Sequence, residues 1–201
     1  MLQAPNATFG NDLLSIERQI KNDSPEHRWN VILINVESLS GDYLKRFGNT
    51  ENITPYLDSL ITHSLWFDQF YASGTRTVRA LEALSMAIPP TPGQSIVRRP
   101  DNDDMFTMGS VLKAKGYDVN YIYGGNSFFD NMGKYFSNSG YKVLDERDIP
   151  DSLIHVTTAW GADDEASFNY TIQQCDKSFS SGKPFFNHIM TVSNHRPYTY
   201  P

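Results

Sequence analysis

Two short stretches of this 201-residue chain carry residues suited to chemistry on an anion. Glu37 follows the apolar run Val31-Ile32-Leu33-Ile34-Asn35-Val36, so it stands at the carboxyl end of an expected strand. A carboxylate there either caps a neighbouring element or serves as a hard oxygen ligand for a divalent cation. Position alone leaves both readings open. Gly74-Thr75-Arg76-Thr77 precedes an expected helix from Val78 to Met86. A helix start gathers unpaired N–H groups and partial positive charge, which suits an anion. A threonine there is an N-cap or, where a cation lowers its pKa, a nucleophile.

Of the five histidines, His195 alone follows an expected strand at its carboxyl end, next to Asn194 and before Pro197. That position suits phosphate binding or proton transfer. His188 falls inside the same strand and reads as a satisfied core residue, while His63 reads as the outer side of a helix. Arg76, Arg79, Arg98 and Arg99 are local cations for an anionic substrate, with Arg79 also suited to a solvated helix face. Cys175 is the only cysteine, which excludes an intrachain disulfide and a cysteine zinc site; its thiol reads as inert.

The elements that must position these groups follow from periodicity. Strands are expected over residues 31–36, 65–71, 119–123 and 184–192, the first buried on both faces. Helices are expected over 54–60, 78–86, 107–115 with Gly116 as its stop, 128–138 and 164–180. Residues 1–29 read as a lead-in helix or linker, with an imperfect apolar stripe between Asp12 and Lys21, and residues 30–201 as the N-terminal portion of a catalytic domain. Strands alternating with helices predict an α/β fold, a mainly parallel sheet with helices on both faces. Ligands in such sheets gather beyond the carboxyl ends of the strands. That rule brings Glu37, Thr77, Gly124-Gly125-Asn126 and Asn194-His195 to one rim.

With a net charge of −6 the chain has no basic field for nucleic acid. No apolar run is long enough to span a bilayer, and no signal peptide opens the chain. The ending at Pro201, just after His195-Arg196-Pro197-Tyr198, reads as a truncation.

Four stretches together resemble a known family: residues 30–38 (NVILINVES), 71–77 (YASGTRT), 123–132 (YGGNSFFDNM) and 191–198 (TVSNHRPY). In this order they are similar to the sulfatase-like branch of the alkaline phosphatase superfamily, specifically its phosphoglycerol transferase and lipoteichoic acid synthase group. The resemblance implies that Glu37 and Thr77 bind a divalent cation, manganese first, with magnesium or zinc as alternatives. It implies that Thr77 is the catalytic nucleophile, that His195 contacts substrate phosphate, and that the loop from Asn126 through Phe129, Asp130 and Asn131 binds the headgroup. The lipoteichoic acid synthases have a Trp and an Arg in that loop, where this chain has Phe129 and Asn131. Arg76 is expected to help orient the anion.

The reaction implied is transfer of a phosphoglycerol group from a lipid donor to a glycan or lipid acceptor through a phospho-threonine-type intermediate. It would run outside the cytoplasmic membrane, in a protein anchored by a segment absent from this chain. The alternatives are a phosphodiesterase or sulfuric ester hydrolase of the same superfamily, and a non-catalytic module that binds anionic headgroups or glycans. No cysteine or serine in a formylglycine motif is present, which favours phosphoryl over sulfuryl chemistry. The family's remaining ligands, an Asp-His pair and a further acidic residue, are expected beyond Pro201.

Overall fold

The protein is described by a computed structural model covering residues 7–9, 18–20 and 24–200. Two three-residue strands open it: β1 (Ala7–Phe9) pairs antiparallel with β2 (Arg18–Ile20). The helix expected between Asp12 and Lys21 is therefore not formed at Arg18–Ile20; its other residues lie outside the described ones. A ladder satisfies the backbone of this short polar stretch, whose imperfect stripe offers a helix little to bury.

The central sheet has the order β3-β8-β4-β5 and is parallel throughout. Its strands are β3 (Val31–Asn35), β4 (Asp118–Tyr123), β5 (Lys142–Leu144) and, last in sequence, β8 (Phe185–Met190). Between β5 and β8 a small hairpin forms from β6 (Thr157–Thr158) and β7 (Gly161–Ala162). Helices α1 (Pro55–Ile61), α2 (Thr77–Met86), α3 (Met108–Ala114), α4 (Met132–Asn138) and α5 (Asp164–Ser180) complete the fold.

Side chains of the central strands alternate between two cores, as a pleat requires. Tyr121 and Phe186 face one side and join Leu81 of α2 and Phe136 of α4. Ile122 and Ile189 face the other and meet Ala166 and Tyr170 of α5. Helices thus cover both faces, as the alternating pattern predicts.

Local chemistry sets several boundaries. Thr107 and Ser110 form a reciprocal capping box at the start of α3, and Gly116, at φ +86°, turns the chain after it. Asp163 caps α5 by accepting from the Ala166 N–H. The helix expected over 128–138 is broken by left-handed backbone at Asp130 (φ 53°) and Asn131 (φ 62°), and regular helix begins at Met132.

Two expectations about strands fail. Residues 65–71 form no strand, and Leu65 and Tyr71 are 84% and 80% exposed. A β-prone run becomes a strand only beside a partner; here Asp68 instead takes a two-pronged ion pair from Arg46. The strand expected to be buried on both faces, β3, lies at the sheet edge. Val31 and Leu33 pack on the core, whereas Ile32 and Ile34 stay about half exposed.

Candidate active site

The carboxyl ends of β3, β4 and β8 and the first turn of α2 enclose a cleft. Five of the residues singled out in the sequence meet there: Glu37, Thr77, Phe129, Asp130 and His195. Thr77 is the first residue of α2, and its N-cap is Arg76, with no side-chain cap bond. The capping role considered for Thr75 and Thr77 is therefore not used. Instead the Thr77 hydroxyl donates to Glu37 Oε2 at 2.9 Å.

Glu37 is fixed by its backbone as well as by its side chain. Its N–H donates to Thr191 Oγ1 at 2.8 Å, and its carbonyl accepts from the Asn194 amide at 3.0 Å. Ser38, in left-handed backbone at φ 51°, donates its hydroxyl to Glu37 Oε1. Asp164, the first residue of α5, accepts from the N–H groups of Val192 and Ser193 with one carboxylate oxygen. That clamp holds the segment bearing Thr191, Asn194 and His195.

The other wall is aromatic. Trp160, between β6 and β7, lies with its ring centroid 3.7 Å from that of His195 and 5.7 Å from that of Phe129. Its indole N–H donates to the Arg196 carbonyl at 2.6 Å. Close backbone packing seats this hairpin: a β-carbon on Gly125 would lie 2.3 Å from the Trp160 carbonyl oxygen. Gly124-Gly125 is thus a docking surface for the hairpin as well as a strand end. Tyr123, in the floor, is pushed up to about 12, first by burial and then by the carboxylates of Glu37, Glu146 and Asp130.

The remaining predicted residues stand apart from the cleft. Arg76 is exposed at the N-cap. Asn126 accepts from the Phe128 N–H in a local turn, and Asn131 donates to the Val97 carbonyl. The latter two shape the loop rather than line the cavity. Asp130 lies 3.3 Å from Arg98 Nε, which brings that cation beside the cleft wall. Arg79 is not on a solvated face: it binds Glu82 and the carbonyls of Thr91 and Gly93. His188 is fully buried, as expected of a core residue, yet neither ring nitrogen has a partner. Burial raises the Cys175 pKa, which fits an inert thiol.

Trp160, Thr191 and Tyr123 were not legible as site residues. The signals on offer were the adjacency of Thr191 to the Ser193-Asn194-His195 turn and the places of Tyr123 and Thr191 at the head of two stretches that carry the resemblance. The donor set fits a hard divalent cation in kind, with a carboxylate and a hydroxyl oxygen in contact. Among the described residues, no cluster of three His, Cys, Asp or Glu forms around it.

Known proteins resemble this chain in sequence and in fold. The sulfatase family model matches residues 29–201. Lipoteichoic acid synthase-like YvgJ of Bacillus subtilis (strain 168) is 26% identical over 176 residues, 84% of this chain and 27% of YvgJ. Phosphoglycerol transferase I of Xanthomonas euvesicatoria is 24% identical over 193 residues, 90% of this chain and 27% of that protein. The chain thus spans about a quarter of the length of these curated relatives. A solved alkaline phosphatase superfamily protein from Vibrio parahaemolyticus superposes with a TM-score of 0.83 at 33% identity, covering 89% of this chain and 43% of that one. The lipoteichoic acid synthase LtaP from Listeria monocytogenes shares the fold, with a TM-score of 0.76 at 18% identity over 86% of this chain and 42% of LtaP. By this match over most of its length, together with a parallel sheet beside whose β3 end Glu37 meets Thr77 of α2, the chain belongs to the sulfatase family.

Proposed function

We propose that this chain carries the nucleophile side of a metal-dependent phosphoryl-transfer site, which moves a phosphoglycerol group from a lipid donor to a glycan or lipid acceptor. The observation that carries the reading is the Thr77 hydroxyl at the start of a ten-residue helix, hydrogen-bonded to the Glu37 carboxylate. Glu37 and Thr77 would hold the cation; manganese is the first choice, with magnesium or zinc as alternatives. A bound divalent cation supplies Lewis-acid polarisation and lowers the pKa of a coordinated hydroxyl.

In the first step Thr77 Oγ1 gives up its proton and forms a bond to the donor phosphorus. The bond to the diacylglycerol oxygen breaks, and that oxygen leaves with the electron pair and takes up a proton. An acceptor hydroxyl then gives up its proton and attacks the phosphorus, and Thr77 Oγ1 departs with the electron pair and is reprotonated. Free N–H groups at the start of α2 face the developing negative charge. His195, held against Trp160, contacts phosphate oxygen or carries the proton to the leaving oxygen. Phe129 and Asp130 border the space for the headgroup. Of the two hydroxyls that donate to Glu37, the one at the start of α2 belongs to a threonine, with neither cysteine nor serine at that helix start, which favours phosphoryl over sulfate-ester chemistry.

On this reading the substrate is an anionic lipid or glycan, and the reaction runs outside the cytoplasmic membrane in a membrane-anchored protein. No helix among the described residues is long and apolar enough to cross a membrane. The test is covalent labelling of the full-length protein by phosphatidylglycerol carrying a radiolabelled headgroup. Label should appear on wild type with manganese and be lost in Thr77→Ala. Undiminished labelling of that variant would remove Thr77 as the nucleophile.

A further inference from the structure

A second concavity, of about 420 Å³, opens at the opposite end of the sheet, where β4, β5 and β8 begin. Four lysines from four elements surround it. Lys113 comes from the last turn of α3, Lys142 from the start of β5, Lys177 from the last turn of α5, and Lys183 from the turn before β8. Lys183 lies 3.6 Å from Asp118, a weak pair at the rim. Among the described residues, the ammonium groups of Lys113, Lys142 and Lys177 have no ion-pair or hydrogen-bond partner. Three uncompensated positive charges thus converge on one groove in a chain of net charge −6.

Lysines in last helical turns are common because the carbonyl end of a helix attracts cations. That accounts for Lys113 and Lys177 one at a time. It does not account for Lys142, which begins a strand, nor for the convergence of all four on one cavity. The lining also includes the buried Ser178 and Asn120, the latter already donating its amide to Asn187 Oδ1 at 2.7 Å.

We propose that this groove is a binding site for a phosphate-bearing polyanion, separate from the Glu37–Thr77 cleft. Lysine ammoniums act as mobile point charges and lack the planar fork with which arginine reads a single phosphate. The groove therefore selects charge density spread along a chain. Its recessed floor fits a linear polyanion, whereas a bilayer surface would meet only the rim. The site does not depend on the transfer reaction, so it stands or falls separately.

Titration of the chain with tripolyphosphate by calorimetry, in the presence of EDTA, tests the proposal. One saturable site is expected, with affinity falling between 50 and 200 mM salt, as is general for such contacts. Lys142→Gln/Lys177→Gln should weaken binding by about tenfold or more, since each lost contact charge is worth about a factor of five at a solvated site. Thr77→Ala should bind like wild type. A thermal melt checks that the double variant is folded; if it is not, Lys113→Gln/Lys142→Gln gives the same readout. Absence of saturable binding, equal affinity in the double variant, or loss of binding in Thr77→Ala would each overturn the site. Orthophosphate binding as tightly as tripolyphosphate would overturn the polyanion class. Sedimentation with phosphatidylglycerol vesicles without tripolyphosphate binding would make it a membrane contact instead.

Discussion

The Thr77 hydroxyl donates a 2.9 Å hydrogen bond to Glu37 Oε2, joining the first residue of α2 to the segment after β3 across 40 positions of sequence. The contact sets two oxygens side by side where a phosphoryl group would meet free N–H groups of the helix. Thr77→Ala removes the nucleophile and is expected to lower transfer by roughly 10³-fold or more. Thr77→Ser should retain measurable turnover. Glu37→Gln keeps the acceptor oxygen and the shape but removes the charge, so manganese affinity should fall by at least roughly tenfold. Metal titration of the full-length protein, followed by turnover with a phosphoglycerol donor, checks all three.

Thr191 acts on Glu37 through the backbone, accepting its N–H at 2.8 Å. Thr191→Val leaves that N–H without a partner in a part-buried setting, at a cost of about 1 kcal/mol or more. Activity should fall further than stability, because the Glu37 carboxylate loses its register with Thr77. Denaturant unfolding measured beside kcat separates the two. An equal, small effect on both would make Thr191 a purely structural residue.

Trp160 holds His195 by ring contact and the Arg196 carbonyl by its indole N–H. Trp160→Leu removes both, and kcat/KM is expected to fall by roughly 10- to 100-fold through misplacement of His195. Trp160→Phe, which keeps a ring but not the N–H, should lie between. The decisive measurement is kcat/KM for the same donor in all three proteins, with near-UV dichroism reporting that the fold persists.

His188 carries a clear pH signature. It is fully buried among Tyr121, Phe136, Tyr141 and Phe186, and burial pushes its pKa down from 6.5 to about 3. A folded pKa below the unfolded value means that the unfolded chain takes up the proton first. Stability is therefore full above pH 6.5 and is lost as pH falls from there towards 3. Between pH 7 and 5 the loss from this one group should be about 2 kcal/mol. His188→Met should flatten the dependence in urea unfolding at a series of pH values; an unchanged slope would assign the acid sensitivity elsewhere.

Asp145 also loses stability on acidification, at lower pH and for a different reason. Burial alone would raise its pKa, but hydrogen bonds from Arg147 and from the Ser127 hydroxyl and N–H outweigh burial and hold it well below the usual carboxylate range. Its contribution is present above pH 4 and is lost as pH falls through the folded value. Asp145→Ala should cost about 2–4 kcal/mol and loosen the loop from Ser127 to Asn131, raising KM for the headgroup. Calorimetric melting and donor kinetics on the same variant check both parts.

What the sequence determined by itself is whatever short-range physics decides. The apolar runs at 119–123 and 184–192 become the buried strands β4 and β8 because a continuous β-branched or aromatic run suits a position covered on both faces. Helix α5 runs over residues 164–180 as its cap and acidic first turn dictate, and Gly116 ends the turn after α3. Glu37, Thr77 and His195 were legible because each stands at the end of its own element. Only the tertiary structure decided what depends on a distant neighbour. The run at 65–71 found no strand to pair with, and β3 took the sheet edge, which leaves Ile32 and Ile34 half exposed. Arg76, Asn126 and Asn131 are not among the residues that line the cleft, while Trp160 and Thr191 are. Those outcomes rest on contacts such as Glu37 to Thr191, 154 residues apart, and periodicity over a few residues holds no information about a partner that far along the chain.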